Sequence, residues 1–527
     1  MDSLQNQRRS VTQASSNILS SGGIRKIISD KVGQLRGTDI KAKSARAIVT
    51  LSIGTFAGRG MRFVRSIILA HILVPDQIGV MAIIMSFSIA FEALTEVGVK
   101  QSIIQNKQGA NTDYLNVAWW MQVVRGLCLF SIAFLMAPWI SSYYGKPELL
   151  GLLRVAFLAI ALRGFVSPRV YVLEKEYKFG RAVFLIQGSA ILGAIITVGI
   201  AWVIRNVWAM VIGFVAEMAI LCILSFVVVP FLPRFRLHRE SLTELMKFAR
   251  GMFGLPVLTM LSVQAPVMIL GKVIPTDQLG FYSYASLLAY IPIELYTRII
   301  TPVLLPAFSE KQDDEGSLCR GLLRATLWTA LLVIPLTAFM ACCASELLLV
   351  YGSGYVIMAI PFVLMCLQIL AQSESTILAS VYLAVGRPHL QRRFAAVRAV
   401  AIIGLLYPAA VRFGPTGAAA VIVASNFAIL LMQVLGIRII VGLEFSHYIR
   451  SYLPGLLMAL PIIVTFDLLW LLGTDTSLLI LAIGISVLMV TFVVSALILS
   501  HSKGFFPTRK KCADGLDYLP SSGVVDV

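Results

Sequence analysis

The sequence predicts an all-α polytopic membrane protein of about fourteen transmembrane helices, built as two parallel-repeat six-helix bundles followed by two C-terminal helices. Three observations carry that prediction: an apolar composition, a regular series of segments long enough to span a bilayer, and a twelve-residue motif that occurs twice.

Of 527 residues, 58% are hydrophobic and 13% charged, and the mean hydropathy is +0.85. Soluble domains carry about 25% charged residues, so lipid is the solvent for most of this chain. The net charge of +17 raises nucleic acid as a partner. Basic residues of a membrane protein also collect on cytoplasmic loops, so their placement decides between the two.

Crossing a hydrocarbon core of about 30 Å takes about 20 helical residues. Apolar segments of that kind lie at 47–73, 79–99, 116–143, 151–170, 182–203, 207–230, 251–274, 279–308, 321–349, 355–384, 395–411, 415–441, 452–472 and 477–499. With a cytoplasmic N-terminus, the inward loops hold Arg234, Arg236, Arg239, Lys247 and Arg250, then Arg387, Arg392 and Arg393. The outward loops hold Lys146, Arg205, Lys272 and Arg412. An even number of spans returns the C-terminal tail, with Lys510 and Lys511, to the cytoplasm. The positive charge is thus mainly topology, and no nucleic acid is expected.

The expected organisation is a basic cytoplasmic segment (1–46), a first bundle (47–232), a cytoplasmic linker (233–250), a second bundle (251–441), two further helices (450–500) and a cytoplasmic tail (501–527). Arg8 and Arg9 stand too far before the first apolar run to form an export signal. Ile24, Ile27, Ile28, Val32 and Leu35 recur at helical spacing among Arg25, Lys26, Lys31 and Arg36. That pattern suits either a basic helix on the inner leaflet or a solvated tail. The seven cysteines, including vicinal Cys342 and Cys343 and the tail residue Cys512, have no metal-ligand spacing and read as packing residues. No metal and no cofactor are expected.

The motif "ILAHILVPDQIG" at 68–79 returns as "ILGKVIPTDQLG" at 269–280, an offset of 201 residues. Both copies close an odd-numbered span at the outer face, so the seventh span repeats the first in the same orientation. Parallel halves of this kind are a transporter plan in which the substrate site lies between the halves and the halves rock around it. Prolines at 256, 266, 292, 302, 335 and 361 free backbone carbonyls and favour the bends such motion uses. The outward loops are short, and the sequence has no nucleotide fingerprint, no Walker A motif and no catalytic arrangement among its five histidines. A carrier without enzymatic activity is expected. The alternative from another class is a polysaccharide polymerase or ligase, which needs an outward-facing acid or histidine.

The run "ILAHILVPDQIGVMAIIMSFSIAFEALTEVGVKQSIIQNK" at 68–107 resembles the N-terminal signature of Wzx-type oligosaccharide flippases, polysaccharide exporters of the multidrug/oligosaccharidyl-lipid/polysaccharide superfamily. "LEKEYKFGRA" at 173–182 and "LGFYSYASLLAYIPIELYTRIITPVLLPAFSE" at 279–310 extend the likeness, which spans 47–440. The resemblance implies a bacterial inner-membrane protein that moves undecaprenyl-pyrophosphate-linked oligosaccharide repeat units between leaflets for exopolysaccharide or lipopolysaccharide synthesis. It implies membrane lipids, a polymerase and a chain-length regulator as partners. Lipid II or multidrug exporters of the same superfamily are the neighbouring alternatives.

Arg59, Arg62 and Arg65 stand inside the first span, "GTFAGRGMRFVRSIILAHIL" at 54–73. An arginine at the bilayer centre costs roughly 2.5 to 3.5 kcal/mol on an insertion scale, so such residues face a wet cavity or a partner. Steps of three place the guanidinium groups in one slanting stripe, advancing about 4.5 Å per step. That stripe is suited to a pyrophosphate, which matches the donor fork of arginine. Arg163 and Arg298 are expected to complete the anion-binding cavity from the fourth and eighth spans, with Arg125 nearer the inner face. The competing reading pairs each arginine with an intramembrane acid: Glu92 and Glu96 share a face, and Glu294 meets Arg298 at i,i+4. The first span itself has no acid. Glu374, within "LQILAQSESTILAS" at 367–380, is a candidate to bind sugar hydroxyls in the cavity or, with Glu217, to couple to an ion, while interhelix hydrogen bonding is the commoner role for such residues. Glu92, Glu217 and Glu294 are candidate coupling or structural acids.

Overall fold

A computed structural model describes residues 40–94, 98–176, 178–234, 238–252, 255–312, 314–472 and 477–501. The basic segment at 24–36, Arg8, Arg9, Glu96, Arg236, Lys510, Lys511 and Cys512 lie outside them, as do the side chains of Arg250, Pro256, Arg298 and Pro302.

Among the described residues, helix occupies most of each of the fourteen expected segments. The first bundle contains α1 (Ile40–Ile72), α2 (Pro75–Leu94), α3 (Thr112–Tyr144), α4 (Leu149–Gly164), α5 (Phe179–Ile204) and α6 (Trp208–Val228). The second contains α7 (Leu255–Val273), α8 (Thr276–Ser309), α9 (Glu315–Cys342) and α10 (Ala359–Ala384), then the two arms of Pro388–Val441, α11 (388–413) and α12 (415–441). Helices α13 (Leu453–Leu471) and α14 (Ser477–His501) end the described chain. Among the described residues, nine helices are long and apolar enough to cross a membrane, or ten with one bent pair. The multi-pass class holds, while this measure supports fewer crossings than the expected fourteen. Arg59, Arg62 and Arg65 in α1 and Glu294 and Arg298 in α8 lower the hydropathy of those helices.

Local chemistry sets several ends. Asn111 caps α3 by accepting the Asp113 N–H at 3.3 Å, and Gly145 stops it in a left-handed conformation (φ 68°). Asp314 caps α9 through the Ser317 N–H at 3.0 Å. Gly414 (φ 56°, ψ −140°) separates α11 from α12, a backbone state open to glycine alone, with Pro415 restarting the helix. The expected span 151–170 is bent. α4 ends at Gly164, and a short helix, Arg169–Lys175, continues at 58°. The Ser167–Pro168 pair explains the break, because the residue before proline avoids helical backbone.

Within the first bundle α1 packs on α5, α5 on α6, α6 on α4 and α4 on α3. In the second, α8 and α9 flank α10, α7 packs on the α11–α12 helix, and α13 and α14 lie against α9. The bundles meet chiefly through α2, which lies against both α7 and α8. Buried Ile83, Ile84, Leu270 and Leu279 belong to one apolar core shared by both halves.

The duplicated motif forms the tightest part of that meeting. A Cβ on Gly79 would stand 1.9 Å from the Thr276 carbonyl oxygen, and one on Gly280 would stand 2.0 Å from the Pro75 carbonyl oxygen. Thr276 is the repeat equivalent of Pro75, so the two contacts are one contact made twice by an internal two-fold relation. Lys146 adds a hydrogen bond to Thr276 Oγ1 and stands 3.8 Å from Asp76. The Tyr144 hydroxyl donates to the Met268 carbonyl at 2.8 Å. The bundles are closed at this end.

Candidate functional site

Next to the closed end, α1, α2, α5, α6 and α8 enclose a cavity of about 440 Å³. Arg62, Arg65 and Ser66 enter it from α1, Glu217 from α6, and Ser283 and Tyr284 from α8. The Glu217 carboxylate lies between two arginines, 3.7 Å from Arg62 and 3.5 Å from Arg65. One turn deeper, Arg59 forms an ion pair with Glu294 of α8, linking the bundles. Arg62 lies within electrostatic range of Arg59, Arg65, Glu217 and Glu294 together. Among the described residues, these ion pairs set three guanidinium groups against two carboxylates.

Glu294 thus meets Arg59 on another helix; its expected i,i+4 partner, Arg298, lies outside the described side chains. The close approach of α1 and α8 brings an acid to a helix that has none.

Arg163 and Glu374 do not join this cavity. Arg163 pairs with Glu92 in a separate polar pocket of about 330 Å³ among α2, α3 and α4, together with Lys100, Gln122 and Arg125. The reason is the early end of α4: Arg163 occupies its last turn rather than mid-depth. Glu374 is 3% exposed and lies at an almost wholly apolar pocket of about 380 Å³ lined from α9, α10, α12 and α13. It accepts hydrogen bonds from Thr326 at 3.2 Å and Tyr448 at 3.4 Å, and Tyr452 donates to Tyr448 at 2.8 Å. The neighbouring Gln368 amide donates to the Tyr290 hydroxyl at 3.0 Å. The polar stretch of α10 is therefore tied into interhelix hydrogen bonds.

Sequence reasoning missed the aromatic group beside the arginine cavity. Tyr351 and Tyr355 follow α9 in "YGSGY", where Gly352 has φ 132°. Tyr355 stacks on Tyr284 with centroids 6.1 Å apart at 13°, and Tyr351 shares a 3.1 Å hydrogen bond with Ser66 of α1. The spaced tyrosines around a glycine were the available signal. Among the described residues no cluster of metal-ligating side chains occurs.

Three comparisons bear on this arrangement. ExoT, the succinoglycan biosynthesis transport protein of Rhizobium meliloti, is 24% identical over 303 residues, covering 57% of this chain. The match spans 60% of ExoT, less than two thirds of its length. The lipopolysaccharide biosynthesis protein WzxC of Escherichia coli is 24% identical over 442 residues, covering 82% of this chain and 87% of WzxC. Among solved structures, the lipid II flippase MurJ in an inward closed conformation superposes with a TM-score of 0.71 and 14% identity, covering 86% of this chain and 99% of MurJ. At that identity the MurJ likeness concerns the fold. A family profile described as "Polysaccharide biosynthesis protein" matches residues 68–360. The Wzx-type resemblance read from the sequence is borne out, and the chain belongs to the polysaccharide biosynthesis protein family.

Proposed function

We propose that the protein is a flippase carrying undecaprenyl-pyrophosphate-linked oligosaccharide repeat units from the inner to the outer leaflet for surface polysaccharide assembly. The observation that supports this most is a largely apolar cavity between the halves into which Arg62 and Arg65 project, next to an end sealed by the repeated motif. Arg62 and Arg65, with Arg59 one turn deeper, receive the pyrophosphate, whose oxygens match a guanidinium fork. The two bundles, 47–232 and 251–441, are the moving units; 450–500 is an appended pair of helices. The lipid tail stays in the membrane, and no bond is made or broken.

On this reading both termini are cytoplasmic, and the motif contact is the outer gate. The polymerase or ligase alternative and a lipid II exporter fit less well: the acid in the cavity, Glu217, is held between Arg62 and Arg65, and the relatives are named for polysaccharide assembly. A cation-exporting multidrug carrier would need an acidic cavity in place of this basic one. A polymerase and a chain-length regulator are the partners that would consume the delivered units.

The test is a strain lacking the chain, complemented with wild type or with Arg62→Gln plus Arg65→Gln at equal membrane abundance. Lipid-linked precursor accumulating on the cytoplasmic leaflet in the variant is the expected result. Precursor reaching the outer leaflet unpolymerised in the deletion strain would replace the flippase reading with the polymerase.

A further inference from the structure

The two carboxylates near the arginine stripe differ in ways that assign them different tasks. Glu217 sits within the first bundle, its side chain 12% exposed, facing two arginines of the same bundle. Glu294 reaches across from the second bundle and its side chain is 39% exposed. A carboxylate that keeps much of its hydration loses little when its ion pair opens, whereas separating a buried pair strands two desolvated charges. Of the two acids, Glu294 is the one an incoming anion can displace.

We propose that Glu294 is a built-in competitor for the substrate's anionic headgroup, occupying Arg59 in the empty carrier and giving it up when the headgroup binds. The inference rests on the anionic-substrate reading above and adds regulation of that same site. The Arg59–Glu294 pair is also a tie between the bundles, because Arg59 belongs to α1 and Glu294 to α8. A ligand that takes Arg59 therefore removes a contact between the moving parts. Opening becomes dependent on cargo, since a ligand shifts a conformational equilibrium by its differential affinity for the two states. Arg62 and Arg65 keep Glu217 as a resident partner, so the headgroup meets a cavity preorganised by Glu217 and unlocked at Glu294. Emptied of substrate, the carrier closes the pair again and is held from cycling without cargo.

The experiment uses the full chain in lipid nanodiscs with inorganic pyrophosphate as the probe. Binding is measured by calorimetry at low ionic strength for wild type, Glu294→Gln, Glu294→Asp and Arg62→Gln. Spin labels at Asn206 and Ser353, both exposed and on different bundles, report separation of the halves in a background with the other accessible cysteines replaced. Glu294→Gln should bind pyrophosphate about twofold to fivefold tighter than wild type. Without ligand, it should also show the label separation that wild type reaches only with pyrophosphate. Glu294→Asp, which keeps the charge, should stay near wild type and shows that loss of charge rather than misfolding moves the result. Unchanged or weaker binding by Glu294→Gln, with wild-type binding abolished by Arg62→Gln, overturns the competitor and leaves the anion cavity standing. No pyrophosphate binding by wild type or Glu294→Gln overturns both.

Discussion

Replacing Gly280 by alanine should weaken the closed state of the gate. The added Cβ would stand 2.0 Å from the Pro75 carbonyl oxygen, where an ordinary contact begins near 3.4 Å. The obstacle is backbone on both sides, in a region where α2 lies against α8, so no side chain can rotate away. The halves must separate by about 1.4 Å at this point. Overpacking of this kind costs about 1–3 kcal/mol, which lowers the closed population relative to the open one by roughly 5-fold to 150-fold. Gly79→Ala should act alike, because it creates the same clash against Thr276 through the internal two-fold relation. Gly188→Ala, with nothing within 4 Å of its Cβ, is the control. The assay is reaction of a membrane-impermeant thiol reagent with a cysteine placed at Ser283, which lines the cavity, applied from the outer side. Faster labelling in Gly280→Ala and Gly79→Ala, but not in Gly188→Ala, is expected. Equal labelling in all three would refute the gate.

Other expectations follow from the same contacts. Glu217→Gln strands Arg62 and Arg65 and should lower thermal stability in detergent by about 1–3 kcal/mol, toward the lower end because the arginines are partly exposed. Tyr351→Phe removes the hydrogen bond to Ser66 and should cost about 0.5–1.5 kcal/mol in the same measurement, with the ring packing on Tyr284 retained. Gly414→Ala meets no neighbouring atom, so any loss comes from the backbone state itself; about 1–3 kcal/mol is expected, read as a lower unfolding midpoint.

The helices were legible because each long apolar segment has to satisfy its own backbone in lipid. The motif at 68–79 and 269–280 was legible as a repeat, but nothing in it reveals that its glycines meet Thr276 and Pro75 in space. The site was legible in part. The α1 arginines stand out in an apolar span, but their acids, Glu217 and Glu294, come from helices whose approach no spacing rule reveals. Counting i,i+4 along α8 sees one helix at a time and so offers no sign that Glu294 meets Arg59 of α1. Arg163 was expected in the anion-binding cavity because apolar residues run on past Gly164, whereas the chain bends at Ser167–Pro168 and leaves Arg163 in a final turn beside Glu92. Of the readings open for the polar stretch around Glu374, interhelix hydrogen bonding matches the contacts, with Thr326 and Tyr448 on Glu374 and Tyr290 on Gln368.

The most direct measurement of the central claim is translocation in reconstituted vesicles. The purified chain is inserted into liposomes holding a fluorescent undecaprenyl-pyrophosphate-linked oligosaccharide, and an impermeant quencher is added outside. Wild type should bring the inner-leaflet population to the quencher with time, and Arg62→Gln plus Arg65→Gln should leave it protected, as in vesicles without protein. Equal rates for wild type and the double variant, or protection that persists with wild type, would contradict a flippase working through this cavity.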